Sequence, residues 1–131
     1  GWRGTAGKIG LETIKTMVRH FNCRPENIKA AIGPSICKDC YEISKDVADI
    51  FAGNFSKEAY ESFMTDKGSG KYMLDLWKAN EIVLLEGGLL KENIAVTDIC
   101  TCCNSELMWS HRKTGSARGS LAAFLMLKNG D

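Results

Sequence analysis

No apolar run in this 131-residue chain approaches the ~20 residues that a membrane-crossing helix needs. No secretory signal pattern is visible either, and the protein is expected in the cytoplasm. There is almost no net charge: 17 Lys and Arg stand against 16 Asp and Glu, leaving +1. Such a balance gives no global field to draw in nucleic acid or a membrane surface, and neither is an expected partner. Internal repeats, low-complexity tracts and linkers are missing, so one domain is expected over residues 1–131. Histidine is scarce, with only His20 and His111. The chain opens on Gly-Trp-Arg-Gly-Thr rather than on Met, which leads us to expect a piece of a longer protein.

What is present is ordinary globular material, 44% hydrophobic and 25% charged. Thr5 to Asn22 predicts a helix with Thr5 as N-cap and Ile14, Met17, Val18 and Phe21 on one face. Ile28 to Ile32 predicts a short buried strand ended by Gly-Pro-Ser, and Tyr41 to Ile43 another. Ser44 caps a helix to about Phe51, with Val47, Ile50 and Phe51 inward. A further short helix spans Ser56 to Phe63. Thr65 to Tyr72 (TDKGSGKY) predicts a loop. Asp75 caps a helix to Glu86 with Leu76, Ala79 and Val83 on one stripe, and Gly87 ends it. Ile94 to Ile99 predicts a strand, Ser105 to Met108 a single turn, and Leu121 to Leu127 a central strand buried on both faces. Strands alternating with helices define an α/β (α+β) class.

The six cysteines fall at positions 23, 37, 40, 100, 102 and 103. Cys102 and Cys103 are adjacent, which suits reduced thiols better than three disulfides. Cys37 and Cys40 form a C-x-x-C; read as C-x-C-C, Cys100 to Cys103 does not match the second knuckle of a zinc site, and no histidine has ligand spacing. A redox pair at Cys37 and Cys40 would need a helix N-terminus, whereas the following segment reads as strand. The expectation is therefore thiols packed as small hydrophobes, with no metal held by this chain.

The segment Ser110 to Ser120 (SHRKTGSARGS) raises a different question. Arg112 and Arg118 stand in a loop of Gly and Ser directly after Trp109, and Arg3 is likewise flanked by Gly in Trp-Arg-Gly. One reading is bracing of backbone carbonyls in tight loops. The other is a planar donor fork held ready for a phosphate or carboxylate. His20 ends an amphipathic helix and suits a partner of the helix dipole. His111, between Ser110 and Arg112, is a candidate for substrate contact.

Five segments in order carry a resemblance across the chain: GWRGT at the start, AIGPSI with CYEIS, LDLWKAN, NI leading to CTCC, and WSHRKTGSARGSLAAFLML. Their order and spacing resemble the laccase-domain family, first described as multicopper polyphenol oxidases and later as purine nucleoside phosphorylases. The resemblance implies a β-sheet core flanked by helices, similar to a cysteine-hydrolase-like fold, of which this chain would be the C-terminal part. It also implies a zinc site, with copper as the alternative, built from two His and one Cys. Those ligands belong to Gln-Val-His-Gly, Ala-Asp-Cys and His-Ala-Gly-Trp-Arg-Gly motifs, and all three would precede Gly1. Arg3, His111, Arg112 and Arg118 match motif positions.

From this we expect His111 to be the catalytic group. Arg3, Ser110, Arg112 and Arg118 are expected to bind a nucleoside and phosphate. The leading expectation is phosphorolysis of adenosine or inosine in the intact protein, with adenosine deamination as a side activity. A copper-dependent polyphenol oxidase is the second reading, weakened by the presence of only two histidines. The third is a non-catalytic portion that pairs with a missing N-terminal segment or associates with itself.

Overall fold

A computed structural model describes residues 1–126 and 128. Two helices, α1 (Trp2–Ala6) and α2 (Ile9–Phe21), open the chain where a single one is expected from Thr5. The break lies at Gly7 and Lys8, and Lys8 takes a left-handed conformation with φ 51°. Thr5 is no N-cap. It is buried inside α1, where its hydroxyl donates to the Gly1 carbonyl (3.3 Å) and accepts from Asn80 Nδ2 (3.0 Å). Of the face expected to point inward on α2, Ile14 is buried, whereas Val18 and Phe21 are exposed.

The chain continues through β1 (Ala30–Ile32), β2 (Glu42–Ser44), α3 (Lys45–Asn54) and α4 (Lys57–Phe63). The strands β3 (Met64–Gly68) and β4 (Lys71–Leu74) follow, then α5 (Leu76–Glu86), β5 (Ile94–Val96) and the single-turn α6 (His111–Thr114). Short 3-10 turns at Pro25–Asn27, Lys38–Cys40, Lys91–Asn93 and Gly115–Ala117 link these elements. Asp75 caps α5 as the sequence indicates, accepting from the Lys78 amide (2.9 Å) and satisfying a donor that a helix start leaves unpaired. Ser44 stands at the start of α3 as expected, but its side chain makes no cap hydrogen bond. Ser56, read only as the start of a helix, does cap α4, accepting from the Ala59 amide (3.2 Å).

The mixed α/β class holds, but among the described residues there is no single central sheet. β1 pairs in parallel with β5, Ala30 opposite Ile94 and Ile32 opposite Val96. The other sheet is antiparallel, in the order β2-β4-β3. The segment expected as a loop from Thr65 to Tyr72 is a hairpin. Gly68, Ser69 and Gly70 all have positive φ and turn the chain tightly, while the residues of β3 after Met64 are exposed and hence polar.

The core lies between this antiparallel sheet and α3, α4 and α5. Phe51, Leu74 and Val83 are fully buried at its centre. Phe51, Phe55 and Phe63 form a triangle with ring centroids 5.0 to 5.8 Å apart. On α3, Ala48 and Phe51 face inward and Ile50, expected inward, is exposed. The predicted central strand from Leu121 is a correction. Residues 121–126 form no regular element, and Phe124 is 95% exposed. A continuous apolar run signals burial against something, and no described neighbour covers it. Leu127, the last residue of that expected strand, lies outside the described residues.

Candidate functional site

The two ends of the described chain meet over one cavity of about 980 Å³. From the start come Gly1, Trp2, Arg3 and Thr5. From the β1 side come Ala30 to Ile36 and Tyr41, and from α5 come Leu76, Asn80 and Leu84. The last wall is Trp109 to Arg112 with Arg118 and Gly119. Every residue singled out from sequence, namely Arg3, Ser110, His111, Arg112 and Arg118, lines this cavity. His20 does not; it lies in the last turn of α2, where a cation meets the negative end of the helix dipole.

Local structure explains how each side chain is held. Ser110 is buried, and its carbonyl accepts from the amides of Lys113 (3.2 Å) and Thr114 (3.0 Å) and from Thr114 Oγ1 (2.9 Å). That turn presents His111 and Arg112 at the start of α6. Arg112 lies over the Tyr41 ring, 5.2 Å from its centroid, and its Nη2 donates to the Glu42 carbonyl (2.9 Å). Arg118 Nη1 donates to the Gly119 carbonyl (2.9 Å). Arg3 lies against the Trp2 ring at 4.5 Å. Carbonyl bracing is therefore present at two of the arginines. Each bracing bond uses one of the five N–H donors of a guanidinium.

Two glycines shape the loop. Gly115 has φ 63° and ψ −141°, a conformation that suits only glycine. At Gly119 a Cβ would lie 2.6 Å from Trp109 Nε1 and 2.7 Å from Cε2, so the indole packs directly on its Cα.

Tyr41 and Asn80 are cavity residues that sequence reasoning did not single out, although both stand in quoted motifs (CYEIS and LDLWKAN). Burial raises the Tyr41 phenol above its ordinary value, and the Arg112 and Arg3 charges partly offset this. Tyr41 thus marks where those two guanidinium fields meet. Asn80 is fixed by donation to the Leu76 carbonyl (2.8 Å) and to Thr5 Oγ1.

The cysteines are a second correction. All six are free, but four of them do not pack as separate small hydrophobes. Cys37, Cys40, Cys100 and Cys103 place their sulfurs within 4.8 Å of one another. Cys100 Sγ accepts from the amides of Cys37 (3.3 Å) and Cys103 (3.4 Å). Burial alone would raise the Cys100 thiol; the amides outweigh it and bring it down to about 6. No cysteine lines the large cavity, and His111 is the one imidazole that does, among the described residues. The two-His-one-Cys zinc site implied by the resemblance, and a histidine-rich copper centre, have no ligand set there.

The fold and the cavity define a small α/β unit with an arginine-lined pocket, and comparison with known proteins gives it a family. A profile described as "Multi-copper polyphenol oxidoreductase laccase" matches residues 1–128. The chain belongs to this laccase-domain family. It is 33% identical over 128 residues to the purine nucleoside phosphorylase YlmD of Bacillus subtilis (strain 168), covering 98% of this chain and 45% of that protein. It is also 33% identical over 123 residues to adenosine deaminase RL5 from an unknown prokaryotic organism, covering 91% of this chain and 45% of that one. The crystal structure of the Bacillus licheniformis hypothetical protein YfiH superposes with a TM-score of 0.82 at 31% identity, over 88% of this chain and 43% of that chain. The chain therefore spans about half the length of the curated relatives it matches. Among the described residues no helix is long and apolar enough to cross a membrane.

Proposed function

We propose that this chain supplies the phosphate- and nucleoside-binding wall of a purine nucleoside phosphorylase. The observation that carries the reading is the convergence of Arg3, Arg112, Arg118 and His111, from opposite ends of the sequence, on one cavity of about 980 Å³. Phosphorolysis requires a phosphate oxygen to bond to the anomeric carbon of the ribose while the bond from that carbon to the purine nitrogen breaks. The purine leaves with the electron pair and takes up a proton. Guanidinium donors suit the first requirement: they hold the phosphate and aim it, and Tyr41 and the Glu42 carbonyl fix Arg112 for that task. His111, exposed at the start of α6, suits the second as donor of the proton to the departing base. Ser110 is buried, its carbonyl orders the turn, and it lines the same cavity, which suits a ribose contact.

This account assigns roles to the residues of this chain alone. By the resemblance, the zinc ligands of the family lie in its Gln-Val-His-Gly, Ala-Asp-Cys and His-Ala-Gly motifs, none of which these residues contain. The names of the relatives support the substrate class, since they include both purine nucleoside phosphorylases and an adenosine deaminase.

The test is the phosphate dependence of inosine cleavage in the intact protein carrying Arg112→Ala or Arg118→Ala, with folding checked by thermal melts. A charge-assisted hydrogen bond contributes roughly 1.5–3 kcal/mol, so each loss should lower kcat/KM about ten- to hundredfold. Lys at either position should restore only part of it, because a point charge does not reproduce the fork. Unchanged phosphate KM and turnover in both folded variants would leave these arginines as backbone braces only.

A further inference from the structure

We infer that Cys37, Cys40, Cys100 and Cys103 form a structural zinc site, separate from the cavity chemistry, that fastens the loop after β1 to the loop after β5. The sequence of the second pair is Cys100-Thr-Cys-Cys103. It contains a C-x-x-C whose last spacer residue is itself a cysteine, Cys102. The chain thus offers two C-x-x-C knuckles, the usual donor pattern of a closed zinc site. The structure brings the two pairs together although 63 residues separate Cys40 from Cys103, and their sulfurs stand 3.5 Å apart. All four sulfurs fit within 4.8 Å. Zinc bound to sulfur at about 2.3 Å in a tetrahedron requires sulfur–sulfur edges of about 3.8 Å. The four thiols thus stand close to the arrangement the ion requires.

The surroundings suit a thiolate centre. Two backbone amides, from Cys37 and Cys103, point at Cys100 Sγ. Donors of this kind orient metal-bound sulfur and spread its charge. Four thiolates select zinc, cuprous copper or iron over calcium, magnesium or cupric ions. The closed set of four protein donors leaves no position for water or substrate, which makes the role structural.

The site sits where it would shape the cavity. The backbone already joins the two loops: the Ser35 amide donates to the Ile99 carbonyl (3.3 Å) and the Thr101 amide to the Ser35 carbonyl (3.1 Å). Ile36 and Tyr41 flank the first cysteine pair, Thr101 lies within the second, and all three line the cavity. An ion behind this wall would set the position of Tyr41, and through it Arg112.

The test uses the full chain, reduced, stripped with chelator, and titrated with cobalt(II) without oxygen. We expect saturation at one cobalt per chain. The spectrum should show sulfur-to-metal charge transfer and the strong visible bands of tetrahedral thiolate coordination, both abolished when zinc is added. Cys23→Ser and Cys102→Ser should keep that spectrum, whereas Cys40→Ser and Cys103→Ser should lose its four-sulfur form. Elemental analysis of the protein as isolated should give one zinc per chain. The inference is overturned by weak octahedral bands only, by the full spectrum persisting in Cys103→Ser, or by iron in place of zinc. Only four of six thiols taking up alkyl groups when the unreduced protein is alkylated under denaturing conditions, marking a disulfide between these cysteines, would also overturn it. If the serine variants do not fold, the stoichiometry and spectrum of the unaltered chain still decide.

Discussion

Replacing Gly119 with alanine adds one methyl group, and the structure fixes what that group meets. The new Cβ would lie 2.6 Å from Trp109 Nε1, 2.7 Å from Cε2 and 3.1 Å from Cδ1. Ordinary contact needs about 3.5–4 Å, so the indole or the backbone must retreat by about 1 Å. An indole is flat and stiff and has only two side-chain torsions, so it cannot yield as the end of a lysine would. Overpacking of this kind costs about 1–3 kcal/mol. Because Trp109 is half-exposed, at 52%, the ring has room to swing outward, and we place the cost toward the lower end, about 1–2 kcal/mol. For a domain of this size that corresponds to a fall in Tm of roughly 3–8 °C. The assay is thermal unfolding of Gly119→Ala, Trp109→Leu and the double variant. If the clash is the cause, the alanine should cost much less in the Trp109→Leu background, a coupling of about 1 kcal/mol between the two sites. An unchanged Tm for Gly119→Ala, or the same loss in both backgrounds, would refute the claim that the indole rests on this glycine. The position of Arg118, one residue before it, would then need another explanation.

Three other outcomes follow from the same geometry. Phe51→Ala, which removes one corner of the aromatic triangle at a fully buried position, should cost about 3–5 kcal/mol in urea unfolding. Asp75→Ala removes the cap of α5 and should cost about 1 kcal/mol, whereas Asp75→Asn should recover most of it; chemical denaturation of both variants decides. The hydrogen bond from Lys67 holds the Glu42 carboxyl below its usual value, so the pair stabilises the fold above the ordinary carboxylate range and this is lost as pH falls through the lowered value. The Tm gap between the unaltered chain and Lys67→Ala should therefore narrow on acidification, and a gap that widens would reverse the assignment.

Local signals in the sequence translate well into local structure. The side chain of Asp75 caps its helix as read because the chemistry of a cap lies within four residues and needs no distant partner, although Ser44, read the same way, makes no such bond. The buried stripe of α5, Leu76, Ala79 and Val83, follows from helical spacing alone. The arginine-lined cavity was legible through motif composition, but Tyr41 and Asn80 were not, because their place in it depends on how β2 and α5 pack. The hairpin at Thr65–Tyr72 escaped because both faces of β3 are largely exposed, so no apolar alternation marks it. Leu121–Met126 misled in the opposite direction: apolar content shows that a segment wants cover, not which neighbour gives it. The four-cysteine cluster was hidden by Cys102, which makes a C-x-x-C look like C-x-C-C.

The cavity's reliance on both ends of the chain also has a consequence in time. Arg118 is made 115 residues after Arg3. The aromatic core of α3, α4 and α5 uses neither and can condense as soon as residue 86 is available. The cavity has to wait for the Trp109–Gly119 segment to return across the chain, a closure with one of the largest sequence separations among the described residues. A translating ribosome that stalls before Trp109 would therefore release a chain with its core formed and its arginine pocket missing a wall.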